Sequence, residues 1–153
     1  MAVKKMKVPT HLKHKPIYAI NNYAKIDGYY KDFDTNVVGI SLGKAQWDST
    51  QFIPSVKVWR HNKRWSRQSE EITLTRALDM ATLTVKVLDN HYNGAALDTF
   101  DSSLHETVKI EPMPCDSAIK AELQDFLDSN KNDIDEHIKI LYQSLQSYMK
   151  NRS

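Results

Sequence analysis

The spacing of apolar residues changes at Thr73, and this change constrains the fold more than any other feature of the chain. Upstream, residues 17–20, residues 37–47 with alternating Val38, Ile40 and Leu42, and residues 55–60 carry the period-two, β-branched signature of strands. Gly28, Gly39, Gly43 and Pro54 punctuate them. Downstream, Leu74, Leu78, Ala81, Val85, Leu88 and Tyr92 recur at intervals of three and four, and Gly94 supplies a stop, which predicts a long helix over 73–93. An isolated amphipathic helix is marginal in water, so its apolar stripe is expected to be core. A short strand at 108–110 ends at Pro112 and Pro114, and two helices follow, over 117–128 and 133–149. The fold class is therefore α+β: an N-terminal antiparallel sheet with a hairpin, packed by a long central helix and two C-terminal helices.

At 153 residues one ordinary core is the default, and 41% hydrophobic with 26% charged residues is a globular composition. Residues 1–16, with Lys4, Lys5, Lys7, Lys13 and Lys15 but no periodicity, read as a basic, partly mobile arm, and residues 17–150 as a single α+β domain. No apolar run approaches the roughly 20 residues that span a bilayer, and residues 1–10 lack the pattern of a secretory signal. With Cys115 as the one cysteine no internal disulfide forms, so a cytoplasmic protein is expected. The charge is uneven: residues 1–68 hold 13 Lys or Arg against 4 Asp or Glu, a net of +9, and the remainder 8 against 15, a net of −7. Such a dipole steers anions to one side, and it equally supports head-to-tail association into a homo-oligomer.

The densest chemistry lies in residues 57–67, which hold five fixed cations and two indoles. Guanidinium groups grip phosphate bidentately and indoles stack on planar rings, so Lys57, Trp59, Arg60, His61, Arg64, Trp65 and Arg67 are candidate ligand-binding residues, with Trp47 and Tyr30 as further aromatic candidates. Alternation sets Lys57, Trp59 and His61 on one strand face and Val56, Val58 and Arg60 on the other, so one tryptophan can be core. The bland alternative is a hairpin turning at 61–64, with Asn62 taking the positive φ, whose arginines pair with Glu70, Glu71 or Asp79. The polar run 66–71 either offers a helix N-terminus to an anion or makes Ser69 a cap with Glu70 and Glu71 as first-turn acids.

Lys57-Val58-Trp59-Arg60-His61, Arg64-Trp65-Ser66-Arg67-Gln68-Ser69-Glu70-Glu71 and Arg76-Ala77-Leu78-Asp79 resemble a small family of bacterial domains of unknown function. The resemblance extends through 13–16, Tyr23, 25–28 and 43–47, covering about residues 8–90, and implies no activity. Where this chain has Thr73 and Thr75, the family's pattern frequently has a proline and a histidine, so no role for that histidine transfers.

Catalytic readings fare poorly. His105-Glu106-Thr107 matches half of a two-histidine phosphoesterase arrangement without a second copy, and Ser41 between Gly39 and Gly43 lies in a strand rather than at a nucleophile elbow. His11, His14, His61 and His91 have no metal-ligand spacing, and four glycines leave no phosphate loop, so no metal and no cofactor are assigned. The function these residues favour is non-catalytic capture of a small anionic, nucleotide-like ligand. The alternatives are a nucleic-acid accessory protein using the basic arm and hairpin, and a phosphodiester-processing enzyme.

Overall fold

The computed structural model describes residues 6–47, 50, 52–66, 69–114 and 117–152, excepting the side chains of residues 29, 31 and 32. Lys4 and Lys5 of the arm, Arg67 of the candidate surface and Cys115 lie outside the described residues. The chain divides into two compact units, Met1–Met80 and Ala81–Ser153. The architecture is α+β, as the change of period predicts: an N-terminal antiparallel sheet, a central helix and two C-terminal helices.

In the first unit, β1 (Lys15–Asn21), β2 (Val37–Lys44) and β3 (Pro54–Asn62) form an antiparallel meander. β3 shares its far edge between two short strands, β5 (Glu71–Thr73) at its start and β4 (Arg64–Trp65) at its end. The hairpin joining β3 to β4 turns at Lys63, which takes φ 63, so the left-handed residue is Lys63 rather than Asn62. Two 3-10 turns, Tyr23–Ile26 and Gly28–Phe33, connect β1 to β2, flanked by left-handed Asn22 and Asp34, residue types that accept this conformation most readily.

Burial along β2 and β3 inverts the hydrophobic pattern. Gly39, Ser41 and Gly43 of β2 and Ser55, Lys57 and Trp59 of β3 are buried, whereas Ile40, Leu42, Val56 and Val58 are only half-covered and line a shallow apolar cavity of about 460 Å³. The reason is the segment before β1. Where a mobile arm was expected, residues 6–14 lie across the glycine-rich face: a Cβ on Gly39 would fall 2.3 Å from the Val8 side chain. The Val8 and Met6 amides donate to the Asn21 and Asn22 carboxamide oxygens at 2.7 and 3.1 Å. Asparagine side chains thus supply acceptors that the sheet edge does not.

The central helix α1 spans Leu74–Asn93, as predicted to within one residue. Its stripe is not buried: Leu78 is 60% and Val85 37% exposed, and no residue of α1 is fully covered. Periodicity identifies residues that share a helix face; it does not state that the face is covered. The polar run ahead of it also differs from expectation. Glu71–Thr73 joins the sheet as β5, Ser69 donates to the Ser66 carbonyl at 3.1 Å, and the first turn of α1 holds no acid. Ser69 is therefore no cap, and none of the described residues within 66–71 lies at a helix N-terminus.

In the second unit, β6 (Thr99–Asp101) and β7 (Thr107–Lys109) form a hairpin, followed by α2 (Ser117–Ser129) and α3 (Lys131–Lys150). The Tyr92 hydroxyl donates to the Leu127 carbonyl at 2.5 Å, His91 meets Asp128 at 2.7 Å, and the Lys131 ammonium lies 5.2 Å from the Tyr92 ring centre. His105 is exposed in the β6–β7 turn at φ 61. Among the described residues no helix is long and apolar enough to cross a membrane.

Candidate functional site

The segment 57–67 separates into an inner and an outer set, because side chains alternate along β3. Lys57 and Trp59 point inward and are 5% and 1% exposed, with the Lys57 ammonium 5.1 Å from the Trp59 ring centre. Burial holds the Lys57 ammonium below its ordinary range, against the opposing attraction of Glu71 and Glu70. Both residues were candidate ligand contacts; the structure places Trp59 in the interior, and Lys57, largely buried, borders the shallow apolar cavity. Trp65 is half-buried and meets Trp59 and His61 edge-to-face, at 5.8 and 5.0 Å between ring centres.

Beneath them lies a polar network that no single motif announces. His14 comes from the covering segment, Ser41 from β2, Ser55 from β3 and Glu71 from β5. His14 Nδ1 is 2.8 Å from Glu71 Oε1 and its Nε2 is 3.1 Å from Ser41 Oγ. The Ser55 hydroxyl donates to the same Glu71 oxygen at 2.6 Å, and the Gln46 amide does so at 3.0 Å. A carboxylate only accepts, so Nδ1 carries the proton, and in the neutral ring Nε2 accepts from Ser41. Hydroxyl, imidazole and carboxylate in that order have the connectivity of a nucleophilic triad. Here they tie the segment before β1 to β2, β3 and β5. Ser41 is 6% exposed within a strand, and its oxygen also accepts the Trp59 indole N–H at 2.8 Å. The strand reading of Ser41 stands, and the remaining Glu71 oxygen is buried with no hydrogen-bond partner among the described residues.

The outer set borders a cleft of about 970 Å³ between the 3-10 turns and the sheet. Arg60, His61 and Tyr30 of the candidate residues line it, together with Tyr23, Asp27, Phe33, Asp34, Asn36 and Glu70. Arg60 is held as a fork: Nε and a terminal nitrogen donate to Glu70 at 3.2 and 2.8 Å, and the other terminal nitrogen donates to the Asn36 carboxamide at 2.8 Å. The pairing of an arginine with Glu70, which the bland alternative anticipates, is thus present. That bond to Glu70 raises the Arg60 guanidinium above its ordinary value and holds the Glu70 carboxyl below its own. Burial, and then the Asp27 charge, push the Tyr23 hydroxyl upward. Asp27 itself accepts the Thr35 hydroxyl at 2.6 Å.

Arg64 is exposed at the hairpin tip beside Lys63, and Trp47, 39% exposed beyond the end of β2, is absent from the cleft lining. Sequence reasoning passed over Asp27, Phe33, Asp34 and Asn36 because the 3-10 turns carry no periodic signal, and it set Tyr23 aside because aromatics near turns more often cover a core edge. The one local clue was the placement of Asn22 and Asp34 where left-handed residues close a turn.

No curated protein and no solved structure matches this chain. A family match does cover residues 6–151, spanning the 8–90 segment of the resemblance and continuing past it. The chain therefore belongs to a family of unknown function, DUF6530.

Proposed function

We propose that this domain captures, without transforming it, a small nucleotide-like ligand whose ring enters the cleft and whose phosphate meets Lys63 and Arg64. The observation that carries the reading is that the cleft wall and two exposed cations adjoin along the chain. A cleft of about 970 Å³, at the upper end of the roughly 300–1,000 Å³ common for small-molecule sites, is lined by His61 and Asn62, and the exposed Lys63 and Arg64 follow them directly. Tyr30 and Phe33 offer ring faces, and the Arg60–Glu70–Asn36 fork offers fixed donors and acceptors to a heterocycle's edge. Capture without turnover suits sequestration of a nucleotide messenger, as in bacterial or phage conflict.

Calorimetric titration with the common ribonucleoside monophosphates and their parent nucleosides tests this. At least one monophosphate is expected to bind tighter than its nucleoside by about 1.5–3 kcal/mol, the worth of a charge-assisted contact. Arg64→Ala should close that gap while leaving the melting temperature within a few degrees, and chromatography should return the ligand intact. Absence of binding by every monophosphate, or equal affinity of both forms, refutes the proposal, and turnover refutes its non-catalytic part.

A further inference from the structure

The sign of the charge inside the cleft differs from that of the hairpin tip. Among the described lining residues, Asp27, Asp34 and Glu70 are carboxylates, and Arg60 is the one Lys or Arg. Its guanidinium already donates to Glu70 and Asn36. An anion entering here meets two further carboxylates and must displace Glu70 from Arg60 to gain a partner. The chemistry of the same walls favours the opposite ligand. Tyr23, Tyr30 and Phe33 line the cleft with the acids, and Tyr30 and Phe33 are 56% and 64% exposed. An aromatic face presents the negative lobe of its quadrupole, so rings beside carboxylates attract a flat cation by stacking and by charge at once. Burial is the larger cause of the upward displacement of the Tyr23 hydroxyl, and Asp27, the second cause, is the part that reflects negative charge beside the cleft.

Resting on the capture of a nucleotide-like ligand proposed above, we infer that the ring held in the cleft is a planar cation, such as an N-methylated purine or a pyridinium. Asp27 and Asp34 supply the countercharge, and the aromatic walls supply the stacking surface. The ligand as a whole is then zwitterionic, with its positive ring inside and its phosphate at Lys63 and Arg64. This division accounts for carboxylates inside the cleft and exposed cations next in sequence to its wall.

The test compares N7-methylguanosine monophosphate with guanosine monophosphate, and the two nucleosides alone, by calorimetry on the full chain. Below neutral pH, where N1 keeps its proton, the methylated ring differs by one methyl group and one positive charge. It is expected to bind at least about tenfold tighter than its neutral counterpart. Asp34→Asn should remove most of that preference without disturbing the turn, since Asn accepts the left-handed conformation Asp34 holds at φ 58. Asp27→Asn is the second variant, read alongside its melting curve because Asp27 also holds Thr35. Equal affinities for methylated and unmethylated monophosphates overturn the inference and leave nucleotide capture standing. Tight binding of the methylated nucleoside with no gain from its phosphate upholds the inference and overturns the phosphate contact. Binding of none of the four overturns both.

Discussion

Trp59 is the best-buried large side chain of the first unit, and its alanine variant should show what that is worth. It is 1% exposed, donates to Ser41 at 2.8 Å and meets His14 and Trp65 edge-to-face at 5.6 and 5.8 Å. Trp59→Ala is expected to cost about 3–5 kcal/mol, measured as a shift in the urea midpoint at unchanged slope. A loss below about 1 kcal/mol would show that the indole is not core. At this scale the sequence was half legible. Alternation along 55–60 puts Lys57 and Trp59 on one face and Val56, Val58 and Arg60 on the other, which the strand obeys. Which face is covered was not legible, because the cover is residues 6–14, and nothing in Gly39 or Gly43 taken alone names Val8 or His14 as the partner.

Among elements, the β3–β4 hairpin carries its own test. Lys63 holds φ 63, a conformation that costs a side-chain-bearing residue roughly 1–2 kcal/mol and glycine far less. Glycine gives back about 0.5–1 kcal/mol through the freedom it adds to the unfolded chain. Lys63→Gly is therefore expected to raise stability by up to about 1 kcal/mol, read as a higher melting temperature. A fall would mean that the Lys63 side chain contributes more than its backbone strain costs. The elements themselves were largely legible. α1, α2 and α3 each begin and end within about two residues of their expected bounds, because period 3.6 over 13 to 20 residues is a strong signal. β5 was hidden: Glu71–Thr73 is too short to show alternation, and its polar lead reads equally well as a helix cap. The two 3-10 turns that build the cleft were hidden for the same reason.

At the scale of the whole molecule, charge segregation is the feature to be explained. Residues 1–80 hold 14 Lys or Arg and 7 Asp or Glu, whereas residues 81–153 hold 7 and 12. A basic surface that grips a polyanion neutralises several phosphates and releases several counterions, giving a slope of log affinity against log salt near −0.9 per phosphate. A ligand with one phosphate at Lys63 and Arg64 is expected instead to give a slope no steeper than about −1 between 50 and 200 mM salt. Slopes several times steeper with oligonucleotides, at comparable or tighter affinity, would assign the molecule to nucleic acid rather than to a small ligand.

The line of rings running from His14 through Trp59 and Trp65 to His61, with centres 5.6, 5.8 and 5.0 Å apart, has an optical consequence. Two indoles at 79° and 5.8 Å couple their electronic transitions, so the folded chain should show a signed exciton couplet in circular dichroism. One indole is seated under the 6–14 segment and the other on the hairpin, and the couplet vanishes when either moves away. Trp47, 39% exposed, is expected to emit separately as a solvent-facing fluorophore. The protein thus carries an unlabelled gauge of whether its hairpin is docked, readable during the same titrations that seek its ligand.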